Sequence, residues 1–296
     1  LAMAIEDLGH PAVSFTGSQS GIITDQHHVA AQVLEVRPTR IKEALSEGRV
    51  VVVAGFQGVS TAREVTTLGR GGSDTTAVVI AAALEAEYCE ICSDVDGIYS
   101  ADPRRVSEAR RLDEITLDSA LAMGRAGAKV LLAEAVERAR ELGVKLHASA
   151  TRDRPGSGTA LVPGEVDDHA VAIACDAELE LVEIGAADSL DILAGSLRWS
   201  WSDADKTMAV VDLRNLHDLD GGLSRLSGVV SHGLVARVSV IGKDMVVDPS
   251  RTRSALQVLE SDWIIAWVAT GDGLSILTSR EHADECQRRL HRRLIV

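Results

Sequence analysis

The sequence predicts an α/β protein of two domains, and three observations support this. Val50 to Ala54 is a continuous β-branched run, and a strand that is apolar on both faces is typical of a central parallel strand. A glycine-rich loop, Thr67 to Thr76, precedes an apolar helical run that ends near Leu84. From about Ala170 short strand and helix patterns alternate, which is typical of an α+β domain.

The composition of the chain argues against nucleic acid and membranes as binding partners. The formal net charge of the 296 residues is −14, and binding to nucleic-acid phosphates or to an anionic membrane needs a positive field. No uninterrupted apolar run has the length of a membrane span. Four cysteines are too few for a disulfide framework in a chain of this length, which indicates a reducing compartment. We therefore expect a cytoplasmic protein with a small-molecule partner, no nucleic acid and no membrane.

The glycine-rich loop is the first candidate site. Gly69, Gly71 and Gly72 flank Arg70, and because glycine has no Cβ, the backbone here can approach a charged ligand closely. We predict that Ser73 to Thr76 cap the following helix, whose N-terminal N–H groups and positive dipole end attract an anion. The loop is therefore predicted to bind an anion.

A second polar segment follows the next predicted strand, Cys89 to Cys92. Ser93-Asp94-Val95-Asp96-Gly97 is a turn sequence that places carboxylates at the carboxyl end of that strand, where open α/β sheets bind ligands. Tyr99 and the run Asp102-Pro103-Arg104 come next, and a ring, a carboxylate and a cation suit the base, ribose and phosphates of a nucleotide. Cys89-x-x-Cys92 alternatively suggests a redox or half-zinc motif, but with no second pair we predict structural cysteines.

The second half is predicted to contain two β-α-β-β-α-β units of the ferredoxin-like type. Pro163-Gly164 marks the expected boundary, which gives domains of residues 1–163 and 164–296. The first unit is predicted to begin with the strands Ala170 to Cys175 and Leu179 to Gly185, followed by a helix from Asp188 to Leu197.

Five segments occur in the order in which aspartokinases carry them: Thr16 to Asp25, Gly55 to Gly58, Thr67 to Ala77, Ser93 to Arg104 and Gly127 to Leu131. The chain resembles the later part of an aspartokinase, throughout residues 1–162 and more weakly beyond. The resemblance implies part of a three-layer αβα amino-acid kinase sandwich, followed by α+β ferredoxin-like ACT domains. ACT domains of this family usually pair between subunits, so a homodimer is implied.

The resemblance also implies a reaction, the transfer of the γ-phosphoryl group of ATP to the side-chain carboxylate of L-aspartate. The product is 4-phospho-L-aspartate, at the first step of lysine, threonine and methionine biosynthesis. Asp74 would organise the reaction centre, and Phe56, Arg70 and Ser73 would bind the substrate. Mg²⁺ would be held mainly by ATP oxygens, so no protein metal site is predicted. The implied ATP-binding residues are Ser93, Asp94, Tyr99, Arg104, Lys129 and Val130.

Two other functions stay open. One is a regulatory or pseudokinase chain of an aspartokinase, and the other is a kinase of the same family that acts on another amino acid. The family carries a lysine-and-glycine phosphate loop on its first strand, which these residues lack, so we expect little turnover from residues 1 to 296 alone. Ala187 to Leu190 also lacks the glycine of an effector site, so feedback by lysine or threonine is not predicted.

Overall fold

The computed structural model describes residues 1–69, 71–128, 133–185, 196–203, 206–212, 214 and 228–295. The chain forms two compact units. The first comprises Leu1–Ile98, Arg111–Gly124 and Lys129–Glu165, and the second comprises Tyr99–Arg110, Arg125–Ala128 and Val166–Val296. Within the described residues, no helix is both long enough and apolar enough to cross a membrane. Most of the helix predicted over Asp188 to Leu197 lies outside them.

The first unit is built from short strands and helices. In chain order they are α1 (Ala2–Asp7), β1 (Ala12–Phe15), β2 (Ile22–Thr24), β3 (Val33–Val36), α2 (Thr39–Ser46), β4 (Val50–Val53), β5 (Gln57–Ser60), β6 (Val65–Thr67), α3 (Gly72–Leu84), β7 (Cys89–Ser93), β8 (Glu114–Thr116), α4 (Leu117–Arg125), α5 (Ala133–Leu142), β9 (Leu146–Ala150) and β10 (Thr159–Val162).

These strands form three small sheets. Strands β1 and β4 pair in parallel, a second sheet has the order β3-β2-β5-β6, and a third has the order β7-β9-β10-β8. Strands β7 and β9 run in parallel, as do β2 and β5, so several strands end at the same edge as their neighbours. The mixed α/β class predicted from the sequence is confirmed.

Strand β4 pairs in parallel as predicted, but it is not buried on both faces. Val51 and Val53 pack with Ile41 of α2 and Ile80 of α3, whereas Val50 is 44% exposed. The pattern alone could not show this, because β-branched residues suit a half-buried strand as well as a central one.

The second unit has a sheet of long antiparallel strands, with helices from the later part of the chain. The elements are β11 (Ala172–Ile184), β12 (Leu197–Asp203), β13 (Lys206–Asp212), β14 (Val229–Ile241), α6 (Asp244–Val247), α7 (Pro249–Gln257), a 3-10 helix (Ser261–Trp263), β15 (Ala266–Thr270), β16 (Gly273–Ser279) and α8 (Ala283–Leu294). The strand order in the sheet is β12-β13-β11-β14-β16-β15.

Strand β11 joins two strands that the sequence predicts separately. Its pairing with β14 shifts register between Asp176 and Leu179, and the Glu178 N–H donates to Asp176 Oδ1 over 3.3 Å. The polar residues that indicate a turn therefore form a β-bulge, because a bulge inserts an extra residue without ending the strand.

Helix α8 supplies much of the core of the second unit. Its residues Cys286, Leu290 and Leu294 lie one helical turn apart and are buried against apolar residues of the sheet, including Val238 and Ile276. This spacing presents one continuous apolar stripe to the sheet, which is why the C-terminal helix is fixed on it.

Candidate active site

Three of the segments singled out in the sequence are held together in the first unit. Gly17 lies so close to strand β5 that a Cβ there would be 2.1 Å from the carbonyl oxygen of Gln57. A Cβ on Gly58 would be 2.6 Å from Thr24 Cγ2, and the buried hydroxyls of Thr24 and Thr66 are 2.7 Å apart. The segments 16–25 and 55–58 therefore meet here beside Thr66 of β6, and contact this close requires glycine. A Cβ on Gly55 would be 3.2 Å from Cα of Ser73, so the described end of the glycine-rich loop lies at the same place.

Phe56 lies at the centre of this meeting point, just after strand β4. Its φ of +72° is the left-handed conformation, which a bulky residue rarely adopts. The strained turn is fixed on both sides, because its N–H donates to Thr76 Oγ1 over 3.1 Å and its carbonyl accepts from the Leu68 N–H over 3.0 Å. Its side chain is 44% exposed and contacts the start of α3 at Gly72. A ring held open to solvent in this way can contact a substrate.

Helix α3 begins earlier than predicted, so the expectation that Ser73 to Thr76 cap it is wrong. The N-cap is Gly71, with φ of +75°, and no side chain caps the helix. Thr76 is already in the helix and its hydroxyl donates to the Gly72 carbonyl over 2.7 Å. Ser73, in the first turn, is exposed. The Gly72 N–H donates to the Gly69 carbonyl over 3.0 Å, so among the described residues the N–H groups of Ser73 and Asp74 are the ones left to a ligand. The positive end of the helix favours an anion there.

Asp74 lies in the first turn of α3. Burial raises the pKa of its carboxyl above the ordinary value. Among the described residues its carboxylate has no hydrogen-bond or ion-pair partner. A half-buried carboxylate without a partner is costly for the fold, and such groups are concentrated at functional sites.

Replacing Asp74 by asparagine should therefore stabilise the protein. The raised pKa means that the folded state holds the proton more tightly than the unfolded state, so charge on Asp74 lowers stability as pH rises through the folded pKa. At pH 7 we expect a gain on the order of a few tenths of a kcal/mol in the free energy of unfolding, measured by urea denaturation. Asp102→Asn, which removes the partner of Arg104, is the control and should not stabilise. A loss for Asp74→Asn equal to that of the control would contradict the assignment.

The cysteines of Cys89-x-x-Cys92 were predicted to be buried structural residues, and this holds for Cys89 but not for Cys92. Cys89 is buried, and burial, with a contribution from the Asp74 charge, raises the pKa of its thiol to about 11. Cys92 is exposed, because an odd number of strand positions separates the two residues onto opposite faces. Within the described ranges, no group of three metal-ligating side chains is found.

Ser93 and Asp94 lie where the sequence predicts, at the carboxyl end of a strand. Ser93 ends β7 and pairs with Ala150, which ends the parallel strand β9. The Ser93 carbonyl accepts hydrogen bonds from the N–H and the hydroxyl of Thr151, at 2.9 and 3.0 Å. Asp94 follows on the surface and is exposed.

Tyr99 and Arg104 belong to the second unit. Arg104 forms a fork with Asp102, in which Nε and one terminal nitrogen donate to the two carboxylate oxygens at 2.9 and 2.8 Å. The hydrogen bond from Arg104 lowers the pKa of Asp102. The carboxylate predicted to contact ribose is thus an orienting partner of the arginine. Arg70, Lys129 and Val130 lie outside the described residues.

The sequence reasoning missed one element of the site, the loop from Asp25 to Ala31. The Thr67 hydroxyl donates to the His28 carbonyl over 3.0 Å, and a Cβ on Gly69 would be 3.1 Å from Cα of Ala30. The loop is closed by Asp25, whose carboxylate lies 2.9 Å from His27 Nδ1. Its contact with the glycine-rich loop is long-range, so no local pattern indicates it.

Comparisons with known proteins show which family the chain is similar to. The family model for the Amino acid kinase family matches residues 1–147. An aspartokinase of Mycolicibacterium smegmatis is 38% identical over 327 aligned positions, which cover 98% of this chain and 76% of the relative. An aspartokinase of Corynebacterium glutamicum is 36% identical with the same coverage.

A solved structure is similar over the whole chain. The crystal structure of E. coli aspartokinase III in complex with aspartate and ADP matches with a TM-score of 0.80 and 26% identity. The match covers 100% of this chain and 72% of that one.

Proposed function

The chain belongs to the aspartokinase family and is an ATP-dependent aspartate kinase, and we propose that it transfers the γ-phosphoryl group of ATP to the side-chain carboxylate of L-aspartate. The product is 4-phospho-L-aspartate, which enters lysine, threonine and methionine biosynthesis. The observation that carries the proposed site is the convergence of three loops on the uncapped start of α3.

The substrate is proposed to bind at this convergence. The planar guanidinium of Arg70 holds the α-carboxylate, since it offers paired donors that match a carboxylate. The exposed Ser73 hydroxyl and the N–H groups of Ser73 and Asp74 add donors, and the Phe56 ring lines the site. Asp74 organises the reacting groups. Phosphoryl transfer needs chiefly positioning and electrostatic stabilisation, which such an arrangement supplies.

The residues proposed to bind the nucleotide are Ser93, Asp94, Tyr99, Arg104, Lys129 and Val130. Among the described ones, Ser93 and Asp94 lie at the carboxyl edge of a parallel strand pair, and Arg104 is oriented by Asp102 with its side chain 84% exposed. Mg²⁺ would accompany ATP and be held mainly by phosphate oxygens, because this ion keeps most of its ligands from water and phosphate.

Calorimetric titration of this chain tests the assignment, with L-aspartate and Mg-ATP titrated separately. Arg70→Ala and Ser73→Ala should each weaken aspartate binding, Arg70→Ala by tenfold or more, since a charge-assisted hydrogen bond contributes about 1.5–3 kcal/mol. Arg104→Ala should weaken Mg-ATP binding and leave aspartate binding unchanged. Arg253→Ala, an exposed arginine of α7 with no proposed role, is the control.

The titrations also separate the alternatives. Folded protein that binds neither ligand would favour a regulatory or pseudokinase chain. Tighter binding of L-glutamate or another amino acid than of L-aspartate would favour a kinase with a different acceptor.

We further propose a cytoplasmic homodimer that associates through the second unit. Among the described strands β15 lies at one edge of the sheet, and Trp267 on that strand is 49% exposed. An exposed apolar edge strand can pair with a second chain. The free cysteines agree with a reducing compartment. A monomer mass by light scattering would contradict the dimer.

A further inference from the structure

The segment Tyr99 to Arg110 folds as part of the second unit, although it follows β7 in the sequence. Ala101 and Val106 are buried in the apolar core that also contains Leu290 of α8. This segment contains two of the residues proposed to bind the nucleotide, Tyr99 and Arg104. Its position is therefore set by what holds it in this unit.

Ser100 is fully buried and is fixed by four hydrogen bonds. Its N–H donates to the Arg110 carbonyl over 2.9 Å, and its carbonyl accepts from the Ile173 N–H over 2.7 Å. The hydroxyl oxygen accepts from the Arg110 N–H over 3.1 Å and lies 2.9 Å from His291 Nε2 on α8. Burial lowers the pKa of His291, which favours the neutral ring, and in either tautomer its Nε2 can share a hydrogen bond with the Ser100 hydroxyl. The residue next to Tyr99 is thus bonded directly to the C-terminal helix.

The surface of the same segment is matched to α8 by charge. Arg105 pairs with Asp284 at 2.7 Å, Glu108 pairs with Arg292 at 2.9 Å, and a terminal nitrogen of Arg288 donates to the Arg105 carbonyl. The three helix residues are spaced by four, so they lie on one face of α8. Exposed ion pairs contribute little one at a time, but a row of them fixes the register of a loop along a helix.

Arg104, the proposed phosphate-binding residue of this loop, has a side chain that is 84% exposed. Arg104 lies between the buried Ser100 and the ion pair of Arg105, and within its own loop Asp102 orients its guanidinium. A side chain that is oriented before binding loses less entropy when the ligand arrives. The loop is rigid where α8 holds it and exposed where a phosphate would bind.

We propose that helix α8 positions the Tyr99 to Arg104 loop for nucleotide binding, with His291 and Arg292 as its positioning residues. The inference rests on the proposed role of this loop in binding ATP. It assigns to the C-terminal helix a function in substrate affinity, in addition to its place in the core.

The test is calorimetric titration of Mg-ATP into variants of the chain. His291→Leu keeps the volume and removes the hydrogen bond, and it should raise the Kd for Mg-ATP about fivefold to tenfold. His291→Gln, whose amide can still share a hydrogen bond with the Ser100 hydroxyl, should restore most of the affinity. Aspartate binding should stay unchanged in both variants, which a general loss of folding would not allow.

A charge swap supplies a second measurement on the surface, where folding is not at risk. Glu108→Arg and Arg292→Glu should each weaken Mg-ATP binding, and the double variant should recover it, because the pair is restored in reverse. Arg293→Ala, which changes the next arginine of α8, is the matched control and should have no effect. Failure of the double variant to recover affinity would count against the positioning role.

The outcomes separate this inference from the proposed function. If Arg104→Ala weakens Mg-ATP binding while the His291 and charge-swap variants bind normally, α8 has no positioning role and the nucleotide assignment stands. If Arg104→Ala binds as tightly as the unchanged protein, the nucleotide assignment itself fails, and the inference fails with it.

Discussion

Replacing Gly72 by alanine should weaken L-aspartate binding at least tenfold. The added Cβ would lie 2.9 Å from both Cδ2 of Phe56 and Cβ of Leu68, and 3.3 Å from Cα of Phe56. Two of these atoms belong to or adjoin the backbone, so the loops on both sides must shift and the proposed substrate site must open. Overpacking of this kind typically costs about 1–3 kcal/mol. Calorimetry and urea denaturation measure the two effects.

The control for this prediction is another glycine inside a helix. A Cβ on Gly124 of α4 would have Ala133 Cβ as its nearest neighbour, at an ordinary contact distance of 3.7 Å. Gly124→Ala should leave aspartate binding unchanged and stabilise the fold by up to about 1 kcal/mol, since alanine is the better helix former. Equal aspartate affinity in the two variants would show that the start of α3 is not part of the substrate site.

The largest effect on stability is expected for Arg214→Leu in the second unit. Arg214 bonds both Asp212, through three hydrogen bonds, and Asp176, at 2.7 Å. These carboxylates are only 2% and 5% exposed. In the variant Asp212 keeps Arg198 and the backbone N–H of residue 214, but Asp176 loses its ion pair with Arg214. Breaking a buried pair costs about 3–5 kcal/mol. Urea denaturation at pH 7 would measure the loss.

The same variant should change how stability depends on pH. Burial would raise the pKa of Asp212, but hydrogen bonds from Arg214 and Arg198 outweigh it and lower the pKa to about 2. The stability from these bonds is present above the ordinary aspartate pKa and is lost as pH falls from about 4 to about 2. In Arg214→Leu the free energy of unfolding should therefore fall less steeply as the pH is lowered through this range. Arg37→Leu, which removes an exposed and solvent-screened pair with Glu35, is the control and should change the profile much less. A similar loss in both variants would refute the prediction.

The sequence was informative where local pattern and local structure coincide. A strand was predicted over Cys89 to Cys92 and β7 is observed over Cys89–Ser93, and the polar residues after Cys92 do follow a strand at a sheet edge. It was less informative for β12, which the helix pattern before Leu197 obscured. Very short strands such as β2 and β6 were also missed, because three residues carry too little periodicity to detect.

In the candidate site, too, features with a local sequence signal could be predicted and features that depend on distant residues could not. The glycines and the residues at the strand ends could be predicted because glycine and turn chemistry leave a local signal. The left-handed backbone of Phe56 and the approach of the Asp25 to Ala31 loop could not, because both depend on residues distant in the sequence. The placement of Tyr99 and Arg104 in the second unit was likewise unpredicted, since their segment reads as a simple continuation of β7.

The second unit includes Tyr99–Arg110, which lies between two parts of the first unit in the sequence, and this limits where the chain can be cut into separately expressed fragments. A recombinant fragment that ends near residue 163 would carry Ala101 and Val106 without α8, against which they are buried in the whole chain. It would also carry Arg105 and Glu108 without the helix residues that pair with them. Such a fragment would expose apolar surface and be prone to aggregate, whereas the second half produced alone would have an uncovered core. The two halves are therefore best expressed as one polypeptide.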